Sequence, residues 1–204
     1  FALNIWFMVW VFLAVFIFGA SLWSYFILLK QKRAWEAFAK KSSLEYFSPA
    51  VLKSPVLRGL LKGIPFEMSS EPPLAGKQND MTLRTAIQFS LKAPMPTAGA
   101  IGSVAFKNFI NGLFLQEAYK PEFEGWSSDI TIRIGKSEEI AAYLTKERLA
   151  AINALFCLKN TSSLLIFNAE ATILRIETSD AFDDEARLEK FLTKAAEAAK
   201  IISL

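Results

Sequence analysis

The first 29 residues contain no Asp, Glu, Lys or Arg, and Asn4, Ser21 and Ser24 are the small polar interruptions in an otherwise apolar run. As a helix rising about 1.5 Å per residue, such a run reaches roughly 43 Å, against a hydrocarbon core of about 30 Å. It is long enough to cross a bilayer, and we read residues 1–29 as a transmembrane helix. The pattern changes at Lys30. Residues 31–41 are strong helix formers without Gly or Pro, so the helix is expected to continue as a basic juxtamembrane stalk over residues 30–48. Trp35 and Phe38 are three apart on one face, which predicts that the stalk lies against the following domain or the lipid headgroups.

Residues 49–204 mix short strand-like and helix-like segments, the pattern of an α+β domain. Two apolar runs between Val56 and Met68 flank Lys62 and Gly63 and predict a hairpin, with Pro65 confining the second run to an edge or bulged position. Residues 71–80 read as a loop. From Met81, the residues Leu83, Ile87, Phe89 and Leu91 alternate with Thr82, Arg84, Gln88, Ser90 and Lys92, broken at Thr85 and Ala86. This predicts an antiparallel strand with one solvated face. Pro94 and Pro96 end it, and residues 97–103, with Gly99 and Gly102, read as a flexible loop.

A short helix is expected over residues 104–110, stopped by Asn111 and Gly112. Residues 113–118 and 129–135 are expected to pair as strands around a loop containing Phe123 and Trp126. Ser137, Glu138 and Glu139 open a helix ending near Leu144, and Thr145 caps a second over residues 146–159, apolar almost all round and so expected to be buried. Residues 164–168 and 172–178 predict another hairpin. A last helix over residues 183–202 carries Leu188, Phe191, Leu192, Ala195, Ala199 and Ile202 as one stripe, with Asp183, Asp184 and Glu185 at its positive end. The expected architecture is an antiparallel sheet with helices packed on one face.

The apolar run differs from a signal peptide, which has a basic start, an apolar stretch of about 7 to 15 residues and a small-residue cleavage site. A retained anchor is expected. Lys30, Lys32, Arg33, Lys40 and Lys41 follow it and no charge precedes it. The positive-inside bias then predicts an N-terminus outside and a C-terminal domain in the cytoplasm, with these five cations facing lipid headgroups. Trp6, Trp10, Phe16, Trp23, Tyr25 and Phe26 are the candidate membrane and partner-docking residues. Bulky rings suit packing against lipid or a neighbouring subunit better than a close Gly-xxx-Gly seam, which is absent.

Composition narrows the chemistry further. With 23 Lys and Arg against 20 Asp and Glu, the net charge of +3 is diluted over a mixed surface. That is no nucleic-acid signature. There is no His in the chain, so imidazole triads and imidazole metal sites are excluded. The one cysteine, Cys157, has apolar neighbours and is expected to be buried and structural. No phosphate loop, dinucleotide fingerprint, zinc pattern or nucleophile elbow occurs. The expected protein is not an enzyme and carries no catalytic, metal or cofactor site.

The elements Ala34-Trp-Glu-Ala-Phe38, Leu57-Arg-Gly-Leu-Leu-Lys-Gly-Ile64, Pro121-Glu-Phe-Glu124 before Arg133-Ile-Gly135, and Tyr143-Leu-Thr-Lys-Glu-Arg148 resemble a group of bacterial single-pass membrane proteins of unknown function. The insertion of Gly125 and Trp126 departs from that pattern. The resemblance implies an N-terminal anchor and a cytosolic α+β domain, and assigns no site. The leading expectation is a non-catalytic accessory subunit of a larger membrane complex, photosynthetic or respiratory, partnered by lipids and other integral membrane subunits. The alternative is a membrane-tethered binding or sensor domain for a lipid or small ligand, using the apolar side of the sheet and the loop from Phe123 to Trp126.

Overall fold

A computed structural model describes residues 2–74, 82–92, 95 and 97–203. The expected loop residues 75–80, together with Met81, Pro94 and Pro96, lie outside the described residues. One helix, α1 (Ala2–Ser42), contains both the apolar run and the stalk without a break. Residues 20–42 hold no Gly or Pro to kink it. The stalk's apolar face is inside the core: Trp35 is 0 % exposed, Ala34, Phe38 and Ala39 are buried with it, and Trp35 Nε1 donates to the Ala181 carbonyl at 3.2 Å.

The strands follow as β1 (Glu45–Phe47), β2 (Val56–Leu61), β3 (Ile64–Glu71), β4 (Arg84–Leu91) and β5 (Gly99–Gly102). A 3-10 turn (Val104–Phe106) runs into α2 (Lys107–Gly112), followed by β6 (Glu117–Ala118), β7 (Thr131–Ile134), α3 (Ser137–Ala141) and α4 (Lys146–Phe156). The hairpin β8 (Thr161–Phe167) and β9 (Thr172–Thr178) precedes α5 (Glu185–Ser203). The strands form one antiparallel sheet in the order β1-β2-β3-β4-β9-β8-β5-β7-β6, so the fold is α+β.

Local chemistry accounts for the turns. The β2–β3 hairpin closes on Lys62 (φ 51°) and Gly63 (φ 82°), both left-handed as a two-residue primed turn requires. Pro65 faces Leu60 in β2, and pairing with β4 begins one residue later at Phe66 and Phe89, so its missing N–H interrupts no bond on that side. In the β8–β9 turn, Asn168 Oδ1 accepts from both Glu170 N and Ala171 N at 2.8 Å. Thr145 caps α4 by accepting from Arg148 N at 3.3 Å, and Asp184 does the same for α5 from Arg187 N at 2.8 Å.

Alternation sets the layers. Met68, Ile87, Phe89, Leu165, Phe167, Leu174 and Ile176 face a main core closed by the end of α1, by α4 and by α5. On the opposite face, Ala100 and Leu164 meet Phe106 and Ile110, so the 3-10 turn and α2 cover that end of the sheet.

Several expectations are corrected. Residues 99–102 are a buried interior strand between β8 and β7 rather than part of a flexible loop. Their glycines are needed for close approach: a Cβ on Gly99 would stand 2.3 Å from Phe167 Cζ, and one on Gly102 2.4 Å from Ile110 Cδ1. Leu83 is exposed and precedes β4 instead of facing its core side. Only Glu117 and Ala118 of the expected strand pair with β7. Helix α4 is two-sided, with Leu149, Ile152, Leu155 and Phe156 buried while Ala150 and Ala154 are exposed. Its alanines gave the segment its all-round apolar look. Cys157 is exposed, because it caps α4 where the chain turns away from the core.

Replacing Trp35 with Ala is expected to destabilise the folded domain by about 3 to 5 kcal/mol, the range for removing a buried large aromatic side chain. A chemical unfolding series on the full chain in detergent micelles checks this, and Lys40→Ala, at an exposed position on the same helix, serves as the near-neutral control.

Candidate membrane-docking surface

The described part of α1 from Asn4 to Phe26 is exposed. Residues Asn4–Ser42 meet the length and apolarity needed to cross a membrane. Trp6, Trp10, Phe16, Trp23, Tyr25 and Phe26 are all exposed on it. At about 100° per residue they point all round the helix rather than along one seam. Of the six, Phe16 and Tyr25 share a groove, about 540 Å³ in volume, that runs over Ala20, Ser21 and Ser24 to Leu52. The Ser21 hydroxyl donates to the Ile17 carbonyl at 2.8 Å, so it carries no unmet donor into an apolar setting.

This groove has no Gly-xxx-Gly signature in the sequence. Ala20 and Ser24 have the same four-residue spacing, and small residues of any kind admit a close neighbour. The seam lies on the side of α1 that, farther along, presents Trp35 and Phe38 to the core.

Leu52 comes from the loop between β1 and β2, which is drawn against α1 by an interaction no local pattern announces. The Lys32 ammonium donates to the Ala50 carbonyl at 2.6 Å and the Val51 carbonyl at 2.8 Å. Val51 and Leu52 are left 67 % and 76 % exposed, with Phe47 exposed nearby in sequence. The other basic residues differ in their surroundings. Lys30 lies 4.9 Å from the centroid of the Phe26 ring, and Arg33 is exposed. Lys40 pairs with Glu36 and Lys41 with Glu189, each at 2.7 Å. The Glu189 hydrogen bond raises the Lys41 pKa above its ordinary value.

The domain's most buried ionic cluster joins β3 and β9. Arg175 donates through Nε to Glu177 at 2.8 Å and through Nη2 to Glu71 at 3.0 Å. Glu71 also accepts from Ser69 Oγ at 2.6 Å, and Glu177, 1 % exposed, accepts from Leu74 N at 3.0 Å. Burial pushes the Glu71 pKa up, but the bonds from Ser69 and Arg175 outweigh it and hold the pKa below the ordinary 4.5. The same pairing raises Arg175 against its own desolvation. A carboxylate held anionic in this way is a poor proton donor near neutrality, so the cluster reads as a structural tie. Burial, offset in part by Arg148, pushes Tyr143 up to about 12, and its hydroxyl donates to the Ile202 carbonyl. Among the described residues no group of three or more Asp, Glu or Cys side chains is placed to hold a metal ion.

The loop proposed for ligand binding is tied down. Asn153 on α4 accepts from Ser127 N at 3.0 Å and donates to the Gly125 carbonyl at 3.1 Å. Phe123 and Trp126 meet edge to face, with centroids 6.5 Å apart, and pack on the main core.

No family model matches the chain, and no curated protein matches it. A comparison with solved structures finds the crystal structure of the mycobacterial trehalose monomycolate transport factor A, TtfA. The TM-score is 0.48 at 9 % identity, covering 84 % of this chain and 94 % of that one. A likeness of that size carries no argument about function.

Arg175→Ala leaves the Glu177 carboxylate buried without its guanidinium and is expected to cost about 3 to 5 kcal/mol. For Glu71 the linkage has a definite sign. Its folded pKa is depressed, so its contribution is present above pH 4.5 and lost as the pH falls through the folded value. Glu71→Gln is therefore expected to flatten the acid limb of the stability curve below about pH 4.5, read by chemical unfolding across a pH series.

Proposed function

We propose that the protein is a non-catalytic accessory subunit of a larger membrane assembly. Helix α1 crosses a bacterial inner membrane with its N-terminus outside, and the α+β body stands on the cytoplasmic side, bracing the cytoplasmic face of neighbouring spans. The observation that carries this reading is the continuity of α1. An exposed, uncharged segment passes without a kink into a helix end buried in the domain core, with Trp35 0 % exposed, so the body is rigidly oriented by whatever holds the segment. The cations after the run support the orientation. Among them, Lys30, Lys32 and Arg33 stand within a turn of the run's end. Lys40 and Lys41 lie roughly 16 to 18 Å farther along the axis, beyond a headgroup layer several ångströms deep. We therefore assign the headgroup role to the first three.

The charge spread over a mixed surface argues against nucleic acid as a partner. Neighbouring spans are expected to seat on the Ala20 and Ser24 side, where the helix surface is low, with Phe16 and Tyr25 as flanking walls. A second reading, a tethered binder of lipid or a small apolar ligand, is favoured by the same open groove, whose lining from Phe16 to Leu28 and Leu52 is mostly apolar.

Mild-detergent purification of the full chain is expected to recover integral membrane proteins at fixed stoichiometry, and Ala20→Leu with Ser24→Leu to release them by filling the groove. Recovery of the chain alone, with a tightly held lipid or small molecule displaced by the same pair, would select the second reading. In intact spheroplasts the body is expected to resist added protease, and its digestion would refute the cytoplasmic placement.

A further inference from the structure

We propose that the loop bearing Val51 and Leu52 is a second membrane contact, which dips both side chains into an anionic leaflet beside the foot of α1. The proposal rests on reading α1 as a span, and it adds a contact that the anchor alone does not require.

Position is the first argument. Lys32, which holds the Ala50 and Val51 carbonyls, is three residues past the end of the uncharged run, or about 4.5 Å along the helix axis. That places the loop at the boundary between hydrocarbon and headgroups. Leu52 turns back from that clip toward the run, where it shares a groove with Tyr25 and Leu28.

The backbone is the second. A segment that dips toward the hydrocarbon gains by satisfying its carbonyls within the protein. Here the Lys32 ammonium takes the Ala50 and Val51 carbonyls, and Lys53 N donates to Ala50 O at 3.3 Å. Pro49 and Pro55 bring no N–H at all. The exposure of Val51 and Leu52, 67 % and 76 %, is unexplained by packing within the domain but suits side chains covered by lipid tails.

Charge decides the kind of lipid. Lys30, Lys32 and Arg33 gather at the helix foot, Lys53 directly follows Leu52 in the loop, no acidic residue precedes Glu36, and none lies between Glu45 and Glu67. An ammonium has three donors. With two on the loop carbonyls, Lys32 keeps one to direct at a phosphate. The occupant is thus an anionic phospholipid surface rather than a second protein chain.

The test uses the full chain with Cys157→Ser, which removes the exposed native thiol, reconstituted in phosphatidylcholine discs with or without phosphatidylglycerol. A nitroxide is attached in turn at Leu52→Cys, at Val15→Cys in the run and at Lys40→Cys on the exposed part of the stalk, and its collision with oxygen and with an aqueous nickel chelate is measured. The Leu52 label is expected to follow Val15, losing nickel accessibility relative to Lys40, with a larger loss when phosphatidylglycerol is present. Lys32→Met is expected to return it toward the aqueous pattern. A Leu52 label that tracks Lys40 while Val15 remains in lipid overturns the loop insertion and leaves the span intact. An aqueous signal at Val15 overturns the span itself, and the loop proposal with it.

Discussion

The structure depends on the burial of one indole near the C-terminal end of a long helix. Trp35 is closed over on all sides, its ring nitrogen bonded to the Ala181 carbonyl in the segment that leads into α5. Because Ala34, Phe38 and Ala39 are buried beside it, the last part of α1 is a member of the core rather than a tether to it. Helix α5 then packs between α1 and α4 over the sheet, so the three helices form one layer with the end of α1 as a member. An isolated amphipathic stalk would draw little stability from propensity alone, and here tertiary packing supplies it.

The parts of this architecture that were legible in the sequence are those whose information is local. The uncharged run, the Lys62–Gly63 turn, the Thr145 cap and the stripe of α5 each announce themselves within a few residues. The failures share a different cause. Gly99 and Gly102 look like chain breakers until Phe167 and Ile110, far along the chain, are seen pressing on them. Cys157 looks buried because its neighbours are apolar, yet the end of α4 turns it outward. The candidate surface divides the same way. The six aromatics were visible as a list, but the low ground between Phe16 and Tyr25 needs the helix geometry. The loop at Leu52 needs an eighteen-residue leap from Lys32 that no periodicity encodes.

The ionic groups fall into two kinds with different consequences. Lys40 with Glu36 and Lys41 with Glu189 are exposed pairs of small energetic weight that leave the surface soluble. Arg175 with Glu71 and Glu177 is enclosed, and it joins the outer face of β9 to the end of β3 and, through Leu74 N, to the segment that follows. The three charges pair with one another and with neighbouring donors through Glu177 Oε1 and both oxygens of Glu71, while Glu177 Oε2 is buried without a hydrogen-bond partner. That arrangement ties the two strands into a fixed shape.

The unbroken passage of α1 into the core has a mechanical consequence. A hydrophobic segment longer than the surrounding bilayer relieves the mismatch by leaning. With no Gly or Pro joint after Gly19, the lean is transmitted to the sheet as a whole. Rotating a rigid rod by about 10° moves a point 30 Å from its pivot by roughly 5 Å, about one helical pitch. On the proposed reading of α1 as a span, a thinner or thicker bilayer alters the angle at which the body stands, with the helix as gauge and the sheet as needle.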